Sequence, residues 1–187
     1  MKGHVTIAGL LKGREQLEQI DEDGRTPLML ALYRGDLPTA GLLIAAGANV
    51  NGQDKILNSP FLYAAASGYT EIVRLCMQHG ADYQVYNRYG GSALIPACER
   101  GYTETVAALL EDKNFPVDHV NNLGWTALLE VVILGNGGPQ YTQITEMLIK
   151  AGVNVNVADK EGVTPLQHAV FRGWRSIAWL LMQAGAK

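Results

Sequence analysis

Thr26-Pro27-Leu28-Met29-Leu30-Ala31-Leu32-Tyr33-Arg34-Gly35, followed by Gly47-Ala48-Asn49-Val50-Asn51, decides the fold, because its parts return along the chain in the same order. The opening phrase comes back as Ser59-Pro60-Phe61, Ser92-Ala93-Leu94, Thr126-Ala127-Leu128 and Thr164-Pro165-Leu166, with 33 residues separating the first three copies. A glycine follows each opening Thr or Ser nine positions on, at Gly35, Gly68, Gly101, Gly135 and Gly173. Self-similarity at such a period marks a stack of small units rather than one globular core.

Each feature has a physical reason. A Thr or Ser hydroxyl can accept a backbone hydrogen bond at a helix start, and proline's fixed φ suits the first helical position. The glycine permits the left-handed conformation that ends a helix, after which a second amphipathic stretch, such as Ile72-Val73 with Leu75-Cys76-Met77, runs back. The Gly-Ala-Asx-Val-Asn tail and the following Asp-x-x-Gly are turn chemistry and predict a projecting loop. The order helix, helix, loop places units at 21–53, 54–86, 87–120 and 121–158, an N-terminal cap at 1–20 and a C-terminal capping unit at 159–187.

On these residues the chain resembles the ankyrin repeat, and the resemblance covers nearly its whole length. It implies an all-α solenoid of stacked helix-turn-helix units with projecting β-turn or hairpin loops, forming a single domain over 1–187. Phrases such as Asn58-Ser59-Pro60-Phe61-Leu62-Tyr63 and Gly124-Trp125-Thr126-Ala127-Leu128-Leu129-Glu130 are similar to those of a bacterial group of ankyrin proteins of undefined function. One departure stands out. Where the family carries His after Thr-Pro-Leu, this chain has Met29, Leu62, Ile95, Leu129 and Gln167, so the histidine network between loops is absent and packing must compensate.

Other departures are local. Pro96 falls about four positions into a helix and predicts a distorted first turn. The fourth unit gains five residues around Asn136-Gly137-Gly138-Pro139-Gln140, expected as a surface loop that is either tolerated length or a recognition feature. Trp174 and Trp179 are bulky for a cap. Trp179 stands in a column otherwise occupied by Gly41, Arg74, Ala107 and Glu146, and either covers the open end or makes a self-contact. A monomer is the expectation, with self-association through Trp179 as the alternative.

Bulk properties narrow the function classes. Fifteen basic against 18 acidic residues, without long runs of either sign, carry no electrostatic footprint for nucleic acid. No segment approaches the roughly 20 apolar residues that cross a bilayer, so membrane insertion is not expected. Cys76 and Cys98 read as two small buried hydrophobes rather than a disulfide. His4, His79, His119 and His168 lie in separate units without metal-ligand spacing, and no phosphate loop or nucleophile elbow is present, so neither metal, cofactor nor catalysis is expected. Localisation stays open between the cytoplasm and, after removal of a signal peptide, a bacterial periplasm.

The resemblance implies binding of a protein or peptide of unknown identity on the concave face, built from loop tips and first-helix ends. The residues there are Tyr33, Arg34, Arg88, Tyr89, Arg100, Trp125, Ile133, Leu134, Phe171 and Arg172, a mix of arginine and large apolar side chains of the kind that dominates binding hot spots. A competing reading is a small-ligand or acid-base pocket. Glu130 and His168 occupy one column of successive units, and stacking should bring this carboxylate and imidazole together.

Overall fold

A computed structural model describes residues 14–187, with the Arg14 side chain set aside. The proposed N-terminal cap lies largely outside the described residues, as does His4; its described part is α1, Arg14–Leu17. Five helix pairs follow: α2 Pro27–Tyr33 with α3 Leu37–Ala45, α4 Pro60–Ala66 with α5 Thr70–Gln78, α6 Leu94–Glu99 with α7 Thr103–Leu109, α8 Ala127–Leu134 with α9 Pro139–Lys150, and α10 Pro165–Phe171 with α11 Arg175–Gln183. No strand occurs among the described residues. The chain divides into two compact units that meet in sequence at Arg88 and Tyr89.

Helix starts follow the cap chemistry. The side chains of Thr26, Ser59, Thr126 and Thr164 each accept the backbone N–H three residues on, at 3.2 to 3.3 Å. Their carbonyls also take the next N–H, from Leu30, Tyr63, Glu130 and His168. Pro96 cannot make that last bond. The third inner helix therefore starts at Leu94, later than its Ser92 phrase predicts, with Ala93 in the helical region and the buried Ser92 hydroxyl unpartnered.

In the first unit, α2 packs on α3 and α4, and α3 packs on α5. In the second, α6, α8 and α10 form one layer in chain order while α7, α9 and α11 form the other. The apolar stripes meet inside each unit. Leu28, Met29, Leu32, Leu43, Ile44 and Phe61 are almost wholly buried in the first; Leu94, Leu109, Leu128, Leu129, Ile144 and Leu148 are so in the second. Each such side chain contributes roughly 1.5–3 kcal/mol against solvent exposure. Cys76 and Cys98 are free and fully buried, and burial pushes the Cys76 thiol up to about 12 and the Cys98 thiol still higher.

Two devices stand where the histidine network would be. Met29, Leu62, Ile95 and Leu129 fill that column as buried apolar groups, and Gln167 closes a reciprocal capping box with Thr164. Asparagines in the tails then clamp successive repeats. Asn51 accepts from the Asp82 backbone N–H and donates to the Gly80 carbonyl, both at 2.9 Å, and Asn156 does the same with Lys187 and Gly185 at 2.9 and 3.4 Å.

The five-residue gain is not a free loop. Pro139 and Gln140 form the first turn of α9, and Gly137 takes φ 70° with its backbone against the Trp174 ring. Trp174 is half-buried there, with the Arg172 guanidinium 5.2 Å from its ring centre. Its bulk thus seats the inserted residues.

Candidate functional site

Four of the loops that lead into helix pairs are built around one Asx residue. Asp54 shows the pattern: its Oδ1 accepts the Ile56 and Asn58 N–H groups at 3.1 and 2.9 Å, while its backbone N–H bonds the Asn58 carbonyl and its carbonyl takes the Leu57 N–H. Asp21, Asn121 and Asp159 organise their loops in the same way. A short polar side chain that caps its own turn locks these loops without strands. The fourth position demands a left-handed residue and holds Gly24, Gly90, Gly124 and Gly162, with φ from 69° to 88°.

Leu57 breaks that column. It takes φ 60° as a non-glycine residue and leaves its side chain 46% exposed beside Ile56 at 49%. A side chain in this region costs about 1 kcal/mol or more. Leu57→Gly is therefore expected to raise the stability of the first unit by about 1 kcal/mol in denaturant unfolding, and an unchanged or lowered midpoint would show that the Leu57 side chain contributes packing instead. Hot-spot reasoning passed over Leu57; the signal was the missing glycine at the fourth position.

In the first unit, the Tyr33 hydroxyl is committed to the following loop. It donates to Asp54 Oδ2 at 2.5 Å, accepts from Asn58 Nδ2 at 2.9 Å, and the ring meets Tyr63 edge-on at 4.5 Å. Burial, assisted by the Asp54 carboxylate, pushes this phenol up to about 12. Tyr33 therefore fixes the loop and has no hydroxyl left for a partner. Arg34 and Arg88 are exposed.

In the second unit, successive loop tips are joined. The Asn122 N–H donates to the Tyr89 carbonyl at 2.9 Å, and Lys160 Nζ donates to the Asn122 carbonyl at 2.6 Å. His119 Nε2 lies 2.6 Å from the Gly90 carbonyl beneath the same tip. These bonds hold Tyr89, 56% exposed, close to Leu123, 52% exposed. Trp125 is only half-buried by its loop, and Arg100 is exposed. On the inner helices Ile133 is half-buried, Leu134 half-exposed, and Phe171 almost wholly exposed beside exposed Arg172. Leu123 was not among the expected hot spots.

The Glu130 and His168 column is bonded to the loops that precede its helices. Each side chain bonds the Asx residue of its own loop, nine positions earlier: Glu130 Oε1 accepts Asn121 Nδ2 at 3.0 Å, and His168 Nε2 meets Asp159 Oδ2 at 2.7 Å. The loop Asx side chain lies on the same turn that feeds the helix, so it reaches the column residue first. Asp159 is held below the usual carboxylate range against its own burial by the His168 contact and the Val163 N–H. Glu130 is sealed, 4% exposed, with Oε2 unpartnered; burial and the nearby Glu99 carboxylate push it up to about 7. A carboxyl without solvent access offers no entry to a substrate.

Comparison with known proteins follows the same lines. The family model described as ankyrin repeats in three copies matches residues 42–118 and 61–137, and the single-repeat model matches 23–55 and 123–160. The chain belongs to the ankyrin-repeat family. It is 36% identical over 166 residues to the ankyrin repeat protein YahD of Escherichia coli (strain K12), covering 89% of this chain and 83% of YahD. An ankyrin repeat domain from Acinetobacter baumannii AYE superposes with TM-score 0.94 at 53% identity, covering 98% of this chain and 93% of that one. A second solved ankyrin repeat protein gives TM-score 0.89 at 38% identity over 96% and 89% of the two chains. Mouse Rabankyrin-5 is 33% identical over 178 residues, which is 91% of this ankyrin chain but 14% of that protein. Ankyrin repeats generally mediate protein-protein interaction, and no helix among the described residues is long and apolar enough to cross a membrane.

Proposed function

We propose that this ankyrin protein is a non-catalytic scaffold that captures a protein or peptide on its loop tips and inner-helix ends, the concave side in the family. One observation carries the reading: in the second unit large apolar side chains stay exposed at those positions, Tyr89, Leu123, Leu134 and Phe171, with Arg100 and Arg172 beside them. Exposed aromatics and arginine on a rigid frame bury much area on binding at little conformational cost. The bonded tips supply that rigidity.

Tyr89 and Leu123 are the residues to remove, because they are exposed, whereas Trp125 also contributes to its loop. Tyr89→Ala with Leu123→Ala is expected to weaken partner retention at least 100-fold in affinity capture from the source organism's lysate, with the helical circular dichroism and melting curve unchanged. Retention by the folded variant would move the binding surface elsewhere. Failure of the wild type to retain any protein would remove the scaffold reading itself.

A further inference from the structure

Outer helices α9 and α11 of the second unit leave between them a shallow groove of about 540 Å³ lined by Thr142, Glu146, Arg175, Ser176, Trp179 and Leu180. Trp179 is 57% exposed there and stacks on no other ring or cation among the described residues. A half-exposed indole in a column that elsewhere carries Gly, Arg, Ala and Glu is out of proportion to any packing role it has in this fold. Trp174, by contrast, is accounted for by Gly137 and Arg172.

Charge distribution says what covers this indole. Arg175, one helical turn before Trp179 on α11, is exposed and makes no ion pair among the described residues, while Glu146 stands on the α9 wall. Glu146 is held by Lys150, at 2.8 Å, with those side chains 50% and 71% exposed, a surface pair of little energetic weight that can be shared. An aromatic flanked by one cation and one anion on opposite walls is self-complementary under a twofold rotation.

We propose that this groove pairs two copies of the chain about a twofold axis, with the Trp179 rings meeting at its centre and each Arg175 reaching Glu146 of the other copy. An isologous contact uses each charge once per copy and closes, so it yields a dimer rather than a filament. Two indoles and two exchanged ion pairs make a small interface, placing the dissociation constant on the order of 100 μM. The surface lies on the outer helices, so pairing does not use Tyr89, Leu123 or the inner-helix ends. It doubles the number of capture surfaces per particle without depending on what they capture.

Sedimentation velocity over a concentration series tests this. The wild type is expected to pass from monomer to dimer mass, and Trp179→Ala to weaken pairing at least tenfold while remaining folded. Glu146→Arg alone and Arg175→Glu alone should each abolish pairing, since like charges then face each other; the two combined in one chain should restore it. Raised salt should weaken the wild-type dimer. A wild type that stays monomeric at millimolar concentration, which leaves the groove to some other partner, overturns the proposal. So does a folded double variant that fails to recover pairing, whatever the outcome of the Tyr89 and Leu123 experiment.

Discussion

Glu130→Gln should flatten part of the pH dependence of stability and leave this ankyrin protein about 3 kcal/mol more stable than the wild type at pH 8. Glu130 is 4% exposed, has one oxygen on Asn121 and the other on nothing, and has Glu99 rather than any cation near it. Both influences disfavour the charged form, raising its pKa from 4.5 to about 7. The folded state therefore holds a proton that the unfolded state releases between those values. Stability is at its full value below about pH 4.5, falls as pH rises towards 7, and levels off above it. The shift corresponds to about 3 kcal/mol. Glutamine keeps the shape, can accept from Asn121, and never ionises. The difference in unfolding free energy between variant and wild type, measured in urea from pH 4 to 8, should grow from near zero to that plateau. A pH-independent difference would mean that Glu130 ionises at its ordinary pKa, through access to water that the structure does not show.

Why Glu130 is so placed was only half legible in the sequence. Column alignment correctly set Glu130 and His168 at equivalent positions, and it correctly found the helix pairs, because the Thr/Ser cap and the closing glycine are local devices whose effect does not depend on neighbours. Contact across units is another matter. Spacing said that Glu130 and His168 belong to neighbouring helices, but side chains take the nearest adequate partner, and Asn121 and Asp159 sit on the turns that begin those same helices. Turn chemistry was visible where Asp-x-x-Gly occurs, at Asp21 and Asp159, yet the second duty of Asn121 and Asp159 as partners to the helix column needed coordinates. Ser92 failed as a cap for a reason four residues away, Pro96, whose missing N–H was noted as a distortion but not followed to its partner carbonyl. Tyr33 looked like a hot spot on residue type alone; its hydroxyl proved to be bound to Asp54 and Asn58. Leu57 is the converse, a residue that looked ordinary until its φ of 60° placed it in a glycine column.

The inserted segment carries the other large effect: Gly137→Ala should destabilise the second unit by about 2–4 kcal/mol, a cost that free loop length would not incur. Gly137 has φ 70°, where a Cβ costs about 1 kcal/mol or more. A methyl there would also lie 2.6 Å from the Trp174 ring, forcing the indole to move in a packed site, which typically costs a further 1–3 kcal/mol. The two contributions separate in a double-mutant cycle. In a Trp174→Ala background the steric part has nothing to collide with, so Gly137→Ala should then cost only its backbone share, and the coupling between the sites should be at least 1 kcal/mol. Denaturant unfolding of the four proteins supplies the numbers. Equal costs of Gly137→Ala in both backgrounds would show that the insertion does not rest on Trp174. A large coupling would make Trp174 a seat for the five extra residues, leaving Trp179 as the tryptophan of the last repeat whose exposure packing does not explain.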